Sequence, residues 1–249
     1  MTAARLVLGA TLALSLGVAT EATAQYPPPA VIAGIEAYNK GDFATAYRQL
    51  KSAADAGDSD GQVNLGYLYA RGHGVAQNHN EALRLYLLSA RQNNPEGMNA
   101  VGAKYWFGRG VDPDIKQAVH WICRAAVSGD PRGLNNLGIL HSRGQGVPRD
   151  VVEFRSLWRQ SAERGNPQAM HNLGQSLVVG PDQPLDREEG MRWLIRSAQL
   201  GNRNAQQLVR QMGYSAEMPQ PIVDTGLAMR VIRTDLPPGK SRYCGAFVS

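Results

Sequence analysis

The chain has 249 residues, of which 43% are hydrophobic and 19% are charged, a balance that is typical of a folded soluble protein. Its formal net charge is +5 with both signs mixed along the chain, so the charge does not require a nucleic-acid partner and we expect none. Glycine is frequent, at 27 residues, which predicts many turns or close contacts between elements.

The first 24 residues have the pattern of a secretory signal peptide. Arg5 gives a weakly positive start, an apolar run covers residues 6–19, and Ala22 and Ala24 form a small-x-small cleavage site. An uncleaved membrane anchor is the alternative, but the run is shorter than the ~20 apolar residues that span a bilayer. No cysteine follows the site, which argues against a lipoprotein. We therefore expect export with cleavage near Ala24–Gln25, no later membrane span, and a periplasmic or secreted location.

Residues 27–212 repeat with a period of 36 residues. Leu-Gly pairs, Gly-Val pairs and alanines recur in this register, too often for chance. The Leu-Gly pair has Val101-Gly102 as its variant and otherwise stands at Leu65-Gly66, Leu137-Gly138 and Leu173-Gly174. Four units begin at Gly61, Gly97, Gly133 and Ala169, and a truncated fifth begins at Ala205.

Each unit is predicted to contain two helices. In the first full unit they cover residues 62–70 and 80–91, separated by a glycine-rich stretch, with Leu65 and Tyr69 on one face of the first. One such hairpin cannot bury its apolar face alone, so neighbouring units must stack. The glycine of each Leu-Gly pair would let paired helices approach closely. The predicted fold class is all-α, a right-handed α/α solenoid of stacked helix-turn-helix repeats, followed by a non-repeat tail.

The repeat resembles the Sel1-like repeat family, a 36-residue relative of the tetratricopeptide repeat. The motifs that carry the resemblance are L-G-x-x-Y, G-x-G-V and W-x-x-x-A-A, found here at residues 101–105, 108–111 and 121–126. The opening unit is closer to an ordinary tetratricopeptide unit with a short turn, on the residues Tyr38, Gly41, Asp42, Phe43 and Ala46. The unit from Ala169 also departs, because Asp182 replaces the second glycine and two prolines change its loop.

The resemblance implies a scaffold or adaptor that binds other proteins. Leu65 and Tyr69 face the paired helix, so residues on the opposite side of the first helices should line a concave groove. Aromatic, Asn and Arg side chains suit peptide recognition, although Trp106 and Phe107 could instead pack between units. Stepping by 36 residues gives the candidate groove residues Val63, Tyr67, Arg71, Asn99, Ala103, Trp106, Phe107, Asn135, Ile139, Arg143, His171 and Gln175.

The sequence contains no recognisable catalytic or metal-binding set. The five histidines are spread over different units, whereas a metal site normally needs three or four convergent ligands. No nucleophile motif, phosphate loop or paired-carboxylate pattern stands out. We therefore predict no catalytic residue, no metal, no cofactor and no enzymatic activity.

The two cysteines suggest a disulfide between Cys123 and Cys244, with two unrelated thiols as the alternative. Cys123 stands where the family usually carries a long charged residue, so we expect it outside the deep core. Cys244 lies in a tail, residues 213–249, whose four prolines prevent a long helix. The tail is expected to cap the last repeat, to lie in the groove or to be disordered.

The functional prediction is an exported scaffold, adaptor or regulator that binds a protein or peptide in its groove. Among Sel1-like proteins, this small exported chain resembles periplasmic regulators of sensor kinases, which implies a periplasmic sensor domain or an envelope protein as partner. One alternative is an exported enzyme of the β-lactam-hydrolysing or penicillin-binding type. Those enzymes resemble disulfide-stapled repeats with a cysteine pair in each unit, whereas this chain has only two cysteines, which argues against this alternative. The other alternative is a secreted factor that engages host proteins.

Overall fold

The structure, a computed structural model, describes residues 28–182, 185–213, 241 and 243–245. All regular secondary structure in these residues is helical, which confirms the all-α prediction. The predicted signal peptide and most of the predicted tail lie outside the described residues. The helices are α1 (Pro29–Asn39), α2 (Phe43–Asp55), α3 (Ser59–Arg71), α4 (His79–Arg91), α5 (Pro95–Phe107), α6 (Ile115–Val127), α7 (Pro131–Arg143), α8 (Val151–Glu163), α9 (Pro167–Val178), α10 (Arg187–Gln199) and α11 (Arg203–Gln211).

The helices form stacked pairs, each packed against the helix before it and the helix after it. The first helices of successive units also touch one another, since α3 contacts both α1 and α5, and α5 contacts α7. We call the surface formed by α3, α5, α7 and α9 the first-helix layer. Helix α11 is the first helix of the truncated fifth unit. This arrangement confirms an α-solenoid built on a 36-residue period, and none of the described helices is long and apolar enough to cross a bilayer.

Asp and Asn side chains fix where the helices begin. Among the described helices, all except α1 follow such a residue, whose side chain accepts a hydrogen bond from a backbone N–H of the first turn. An N-cap of this type stabilises a helix by about 1 kcal/mol relative to Ala. The caps recur every 36 residues in two series, Asp58, Asn94, Asp130, Asn166 and Asn202, and Asp42, Asn78, Asp114, Asp150 and Asp186.

The glycine of the Leu-Gly pair permits the close approach that the sequence predicts. A Cβ atom on Gly138 would lie 2.5 Å from Nε1 of Trp158 on the paired helix. That indole donates a hydrogen bond to the backbone oxygen of Asn135 at 3.2 Å. Contact at this distance leaves no room for a side chain on Gly138, so the glycine sets how closely α7 and α8 pack.

The loop after α9 differs from the equivalent loops, as predicted. The three preceding first helices end at a glycine in the left-handed conformation, whereas α9 ends at Val179 with a φ of −128°. Asp182 accepts two hydrogen bonds from Arg149, at 2.6 and 2.7 Å, and its backbone oxygen accepts one from Arg155 at 2.8 Å. Both arginines belong to the preceding unit. Their hydrogen bonds fix the loop, which lacks the left-handed glycine that ends α3, α5 and α7.

The expectation that Cys123 lies outside the deep core is wrong. Its side chain is 0% exposed and packs among α6, α7 and α8, in the same apolar cluster as Cys244. The two Cα atoms are 5.4 Å apart, a separation that suits a disulfide. Cys244, from the tail, lies directly against Cys123 and contributes to its burial.

The described tail residues lie against the middle of the solenoid and do not cap the last repeat. Tyr243 donates a hydrogen bond from its hydroxyl to Asp150 at 2.8 Å, and its ring lies 4.7 Å from that of His141. Ser241 donates to Glu153 at 2.7 Å. These contacts are with α7, with the N-cap of α8 and with the first turn of that helix.

Candidate protein-binding surface

All twelve candidate groove residues lie on the first helices, three or more on each of α3, α5 and α7 and two on α9. The structure therefore brings them into one layer, as the sequence analysis expects. The twelve residues differ in how deeply their side chains are buried. One residue per unit is buried, a second group is half-buried, and a third group lies exposed near the carboxyl ends of the helices.

The buried group is Val63, Asn99, Asn135 and His171, which are 3%, 8%, 5% and 7% exposed. Val63 packs in an apolar cluster with side chains of α4 and α5. Burial lowers the pKa of His171, which favours the neutral form of its imidazole. These four side chains lie too deep to give a partner more than a small contact area.

Hydrogen-bonded amides connect neighbouring units along this layer. Asn136 donates from Nδ2 to Oδ1 of Asn99 at 2.8 Å, and Asn172 donates in the same way to Asn135 at 2.9 Å. We call these four residues the amide ladder. Only Asn99 and Asn135 were among the residues predicted from the sequence. The signal for Asn136 and Asn172 was present, because both immediately precede the Leu-Gly pair and they are 36 residues apart.

Aromatic and arginine side chains gather near the carboxyl ends of the first helices, where Phe107 and the arginines are exposed and Tyr67 and Trp106 are half-buried. Phe107 is 57% exposed and stacks on Trp106, with ring centroids 5.0 Å apart. Trp106 also packs against the apolar cluster formed by α6, α7 and α8, as expected if it packs between units. Phe107 is not part of that cluster. The guanidinium of Arg71 lies 5.4 Å from the ring centroid of Tyr67, and that of Arg109 lies 5.6 Å from that of Phe107. We call the arginine–aromatic edge the set Tyr67, Arg71, Trp106, Phe107, Arg109 and Arg143.

The remaining candidates lie between these two groups. Ala103 and Ile139 are half-buried, and Ile139 packs against Phe154 and Trp158. Gln175 is exposed and lines a cleft of about 310 Å³ beside the altered loop after α9. Most of the other residues that line this cleft were not predicted, because that loop departs from the repeat.

The opposite ends of the first helices carry buried acidic groups. Arg132 forms an ion pair with Glu96 at 2.5 Å, and Asn94 donates a hydrogen bond to Asp60 at 2.6 Å. Burial raises the pKa of Glu96 to about 7, against the opposing effect of Arg132, and burial also raises the pKa values of Asp60 and Asp130. Glu96 is therefore partly protonated near neutral pH, which reduces the negative charge at this end of the layer.

An aromatic cluster connects the opening unit to Tyr67. The hydroxyl of Tyr38 lies 3.1 Å from Nδ1 of His73, whose ring stacks on Phe43 at a centroid distance of 4.5 Å. Tyr38 also meets the ring of Tyr67 edge-on at 5.8 Å, and burial raises its pKa to about 12. This cluster was not predicted from the sequence, because the opening unit lies outside the 36-residue motif.

The histidines occupy separate sites. Nδ1 of His79 lies 3.3 Å from Nζ of Lys104, and Nδ1 of His141 lies 2.8 Å from the backbone oxygen of Pro148. Within the described parts of the chain, no group of three His, Cys, Asp or Glu side chains could hold a metal ion.

The sequence matches a known family of repeats. The sequence model of the Sel1 repeat matches residues 59–94, 95–130, 131–166 and 167–202, which together make up more than half of the chain. No curated protein matches the sequence.

Solved structures with the same repeat resemble the chain. A Sel1 repeat protein from Oxalobacter formigenes is 27% identical with a TM-score of 0.66, over 82% of this chain and 85% of that one. A candidate sel1 repeat protein from Klebsiella pneumoniae subsp. pneumoniae is 17% identical with a TM-score of 0.53, over 74% of this chain and 91% of that one, and shows the fold alone. The chain is a member of the Sel1 repeat family.

Proposed function

We propose that this chain is an exported scaffold or adaptor that binds a protein partner on its first-helix layer. Sel1 repeats typically mediate protein–protein interactions, and proteins built from them are generally non-enzymatic. The observation that carries the proposal is the arginine–aromatic edge. Large aromatic side chains that are exposed and already packed against a neighbour are typical of the residues that dominate binding energy at interfaces.

The proposed location is the periplasm, where a sensor domain or an envelope protein would be the partner. The signal-peptide pattern of the first 24 residues supports export. The adjacency of Cys123 and Cys244 supports an oxidising compartment, because disulfides persist there and are rare in the cytosol. We expect the mature protein in the periplasmic fraction with Gln25 as its first residue. An uncleaved chain in the cytoplasm, found by fractionation and N-terminal sequencing, would contradict export.

Partner binding can be tested with two matched substitutions of exposed apolar residues. Phe107 belongs to the arginine–aromatic edge, whereas Val152, which is 71% exposed, lies on the second helix α8. We expect Phe107→Ala to reduce recovery of the partner from periplasmic extracts, and Val152→Ala to leave it unchanged. Both variants should melt like the wild-type protein, because neither side chain is buried. Equal recovery by both variants would exclude this surface as the binding site.

The secreted-factor alternative makes a different prediction about where the partner is found. A host-cell binding assay, run beside the periplasmic recovery, separates the two. Binding to host cells that depends on Phe107, with no periplasmic partner, would replace the adaptor proposal.

A further inference from the structure

We infer that the arginine–aromatic edge recognises an extended acidic segment of its partner, with carboxylates spaced about three residues apart and apolar residues between them. This inference rests on the proposed protein-binding function and specifies the chemistry of the partner.

The edge carries uncompensated positive charge. The loops at residues 71–77, 107–113 and 143–149 together contain four arginines and a single aspartate. One of the four, Arg149, is already paired with Asp182. For Arg71, Arg109 and Arg143, no carboxylate in the described residues lies within ion-pair distance. Three exposed guanidinium groups along one edge favour a ligand of negative charge.

Two of these guanidinium groups are already positioned by aromatic rings. Arg71 lies over Tyr67 and Arg109 lies over Phe107. Contact with a ring restricts the side chain but leaves its edge N–H groups free, and these match the two oxygens of a carboxylate. Binding an acidic side chain would therefore cost less rotamer entropy than at a solvated arginine.

The three loops stack in register along the solenoid. Each packs on the second helix of the unit before it. A Cβ atom on Gly110 would meet the backbone oxygen of His79 at 2.5 Å, and one on Gly146 would meet Ile115 at 2.8 Å. Each unit therefore places one arginine at this end of the first-helix layer, at the last residue of α3 and α7 (Arg71 and Arg143) and two positions beyond the end of α5 (Arg109).

The spacing of the units sets the spacing of the ligand's charges. Packed helices lie about 8–10 Å apart, and an extended chain rises about 3.3 Å per residue. One unit therefore corresponds to about three residues of an extended peptide, and a segment that crosses α3, α5 and α7 needs about seven residues. Tyr67, Trp106 and Phe107 would contact the residues between the carboxylates.

The test is a selection from a displayed library of random 12-residue peptides on the purified full-length chain. The edge variant carries Arg71→Gln, Arg109→Gln and Arg143→Gln. A matched control replaces three exposed arginines away from the edge and changes the net charge equally, with Arg91→Gln, Arg203→Gln and Arg210→Gln. The most enriched peptide is then labelled with fluorescein, and its affinity for the three proteins is measured by anisotropy.

We expect the enriched peptides to carry Asp or Glu at intervals of about three residues. The edge variant should bind the labelled peptide about tenfold more weakly or worse, and the control should bind it within about twofold of wild type. Enriched peptides without an acidic pattern, or equal losses in the edge variant and the control, would overturn the inference and leave protein binding intact. Absence of any enriched peptide would instead count against the proposed function and the inference together.

A second copy of the chain is the other possible occupant of this edge. Light scattering after size exclusion decides between them. A dimer that the edge variant converts to a monomer would assign the edge to self-association and overturn the inference.

Discussion

Lys104 is a buried cation at a position where the repeat favours an apolar side chain. The residues 36 positions before and after it are Leu68 and Leu140, both fully buried. Lys104 is 7% exposed, with Nζ 3.3 Å from Nδ1 of His79. Burial, with a further effect of Arg109, lowers the pKa of Lys104 from 10.5 to about 8. We therefore predict that replacing Lys104 by methionine stabilises the protein at neutral pH.

The size of the effect follows from the shift in pKa. The pKa of Lys104 is 10.5 in the unfolded chain and about 8 in the folded protein. This difference means that burying the charged lysine destabilises the folded state by about 3 kcal/mol at pH values below 8. Because the folded pKa is lowered, the unfolded state binds more protons between pH 8 and 10.5, so the free energy of unfolding rises with pH across that window. Lys104→Met should gain about 1–3 kcal/mol at pH 7, and its advantage should shrink as the pH approaches 10.

Urea denaturation followed by circular dichroism at pH 7 and pH 10 measures both effects. Lys116→Met, at an exposed position on α6, is the control and should change neither value by more than about 0.5 kcal/mol. A Lys104→Met variant that is less stable than wild type at pH 7 would show that the buried charge does not destabilise the fold. So would an advantage of the same size at both pH values.

Three further predictions concern packing and covalent structure. Gly138→Ala should cost about 1–3 kcal/mol in urea denaturation, because its Cβ would lie 2.5 Å from the Trp158 indole, and adding Trp158→Phe should recover part of the loss; a wild-type midpoint for the single variant would contradict this. Asn135→Ala should cost about 1–2 kcal/mol, because it breaks the amide ladder between units; unchanged stability with weaker partner binding would make Asn135 a contact residue instead. Protein purified from the periplasm without reductant should show no reactive thiol when denatured, and mass spectrometry should find a linked Cys123–Cys244 peptide; two reactive thiols per chain would rule the bridge out.

The repeat period could be predicted from the sequence because glycines and alanines at helix contacts tolerate few substitutes. The start of the first helix could not be predicted as well. The apolar pattern suggested residues 62–70, whereas α3 covers Ser59–Arg71. The missing residues follow the N-cap Asp58, whose side chain accepts from the N–H of Gly61 at 2.6 Å. The second helix, predicted at residues 80–91, differs from α4 by a single residue.

The candidate groove residues lie on the first helices, but how deeply each one is buried depends on contacts between units. A projection at 100° per residue separates the side facing the paired helix from the opposite side. It does not show which of those residues meet the next unit. Asn99 and Asn135 meet it through the amide ladder, whereas Arg71 and Phe107 lie near helix ends and stay exposed.

The burial of Cys123 could not be predicted from the sequence, because it depends on contact with Cys244, which lies 121 residues later in the chain. The pattern of a single repeat describes only contacts within a unit and with its neighbours. A tail segment that packs on the middle of the solenoid leaves no periodic signal.

We propose that a partner protein contacts the first-helix layer at the arginine–aromatic edge. Site-specific photo-crosslinking in living cells can detect this contact. A benzophenone amino acid is placed either at Phe107 or, as the control, at Val152 on α8, both of which are exposed. We expect an adduct with a distinct protein from position 107 and none from position 152. An adduct from position 152 alone, or adducts of equal yield from both, would contradict the proposal.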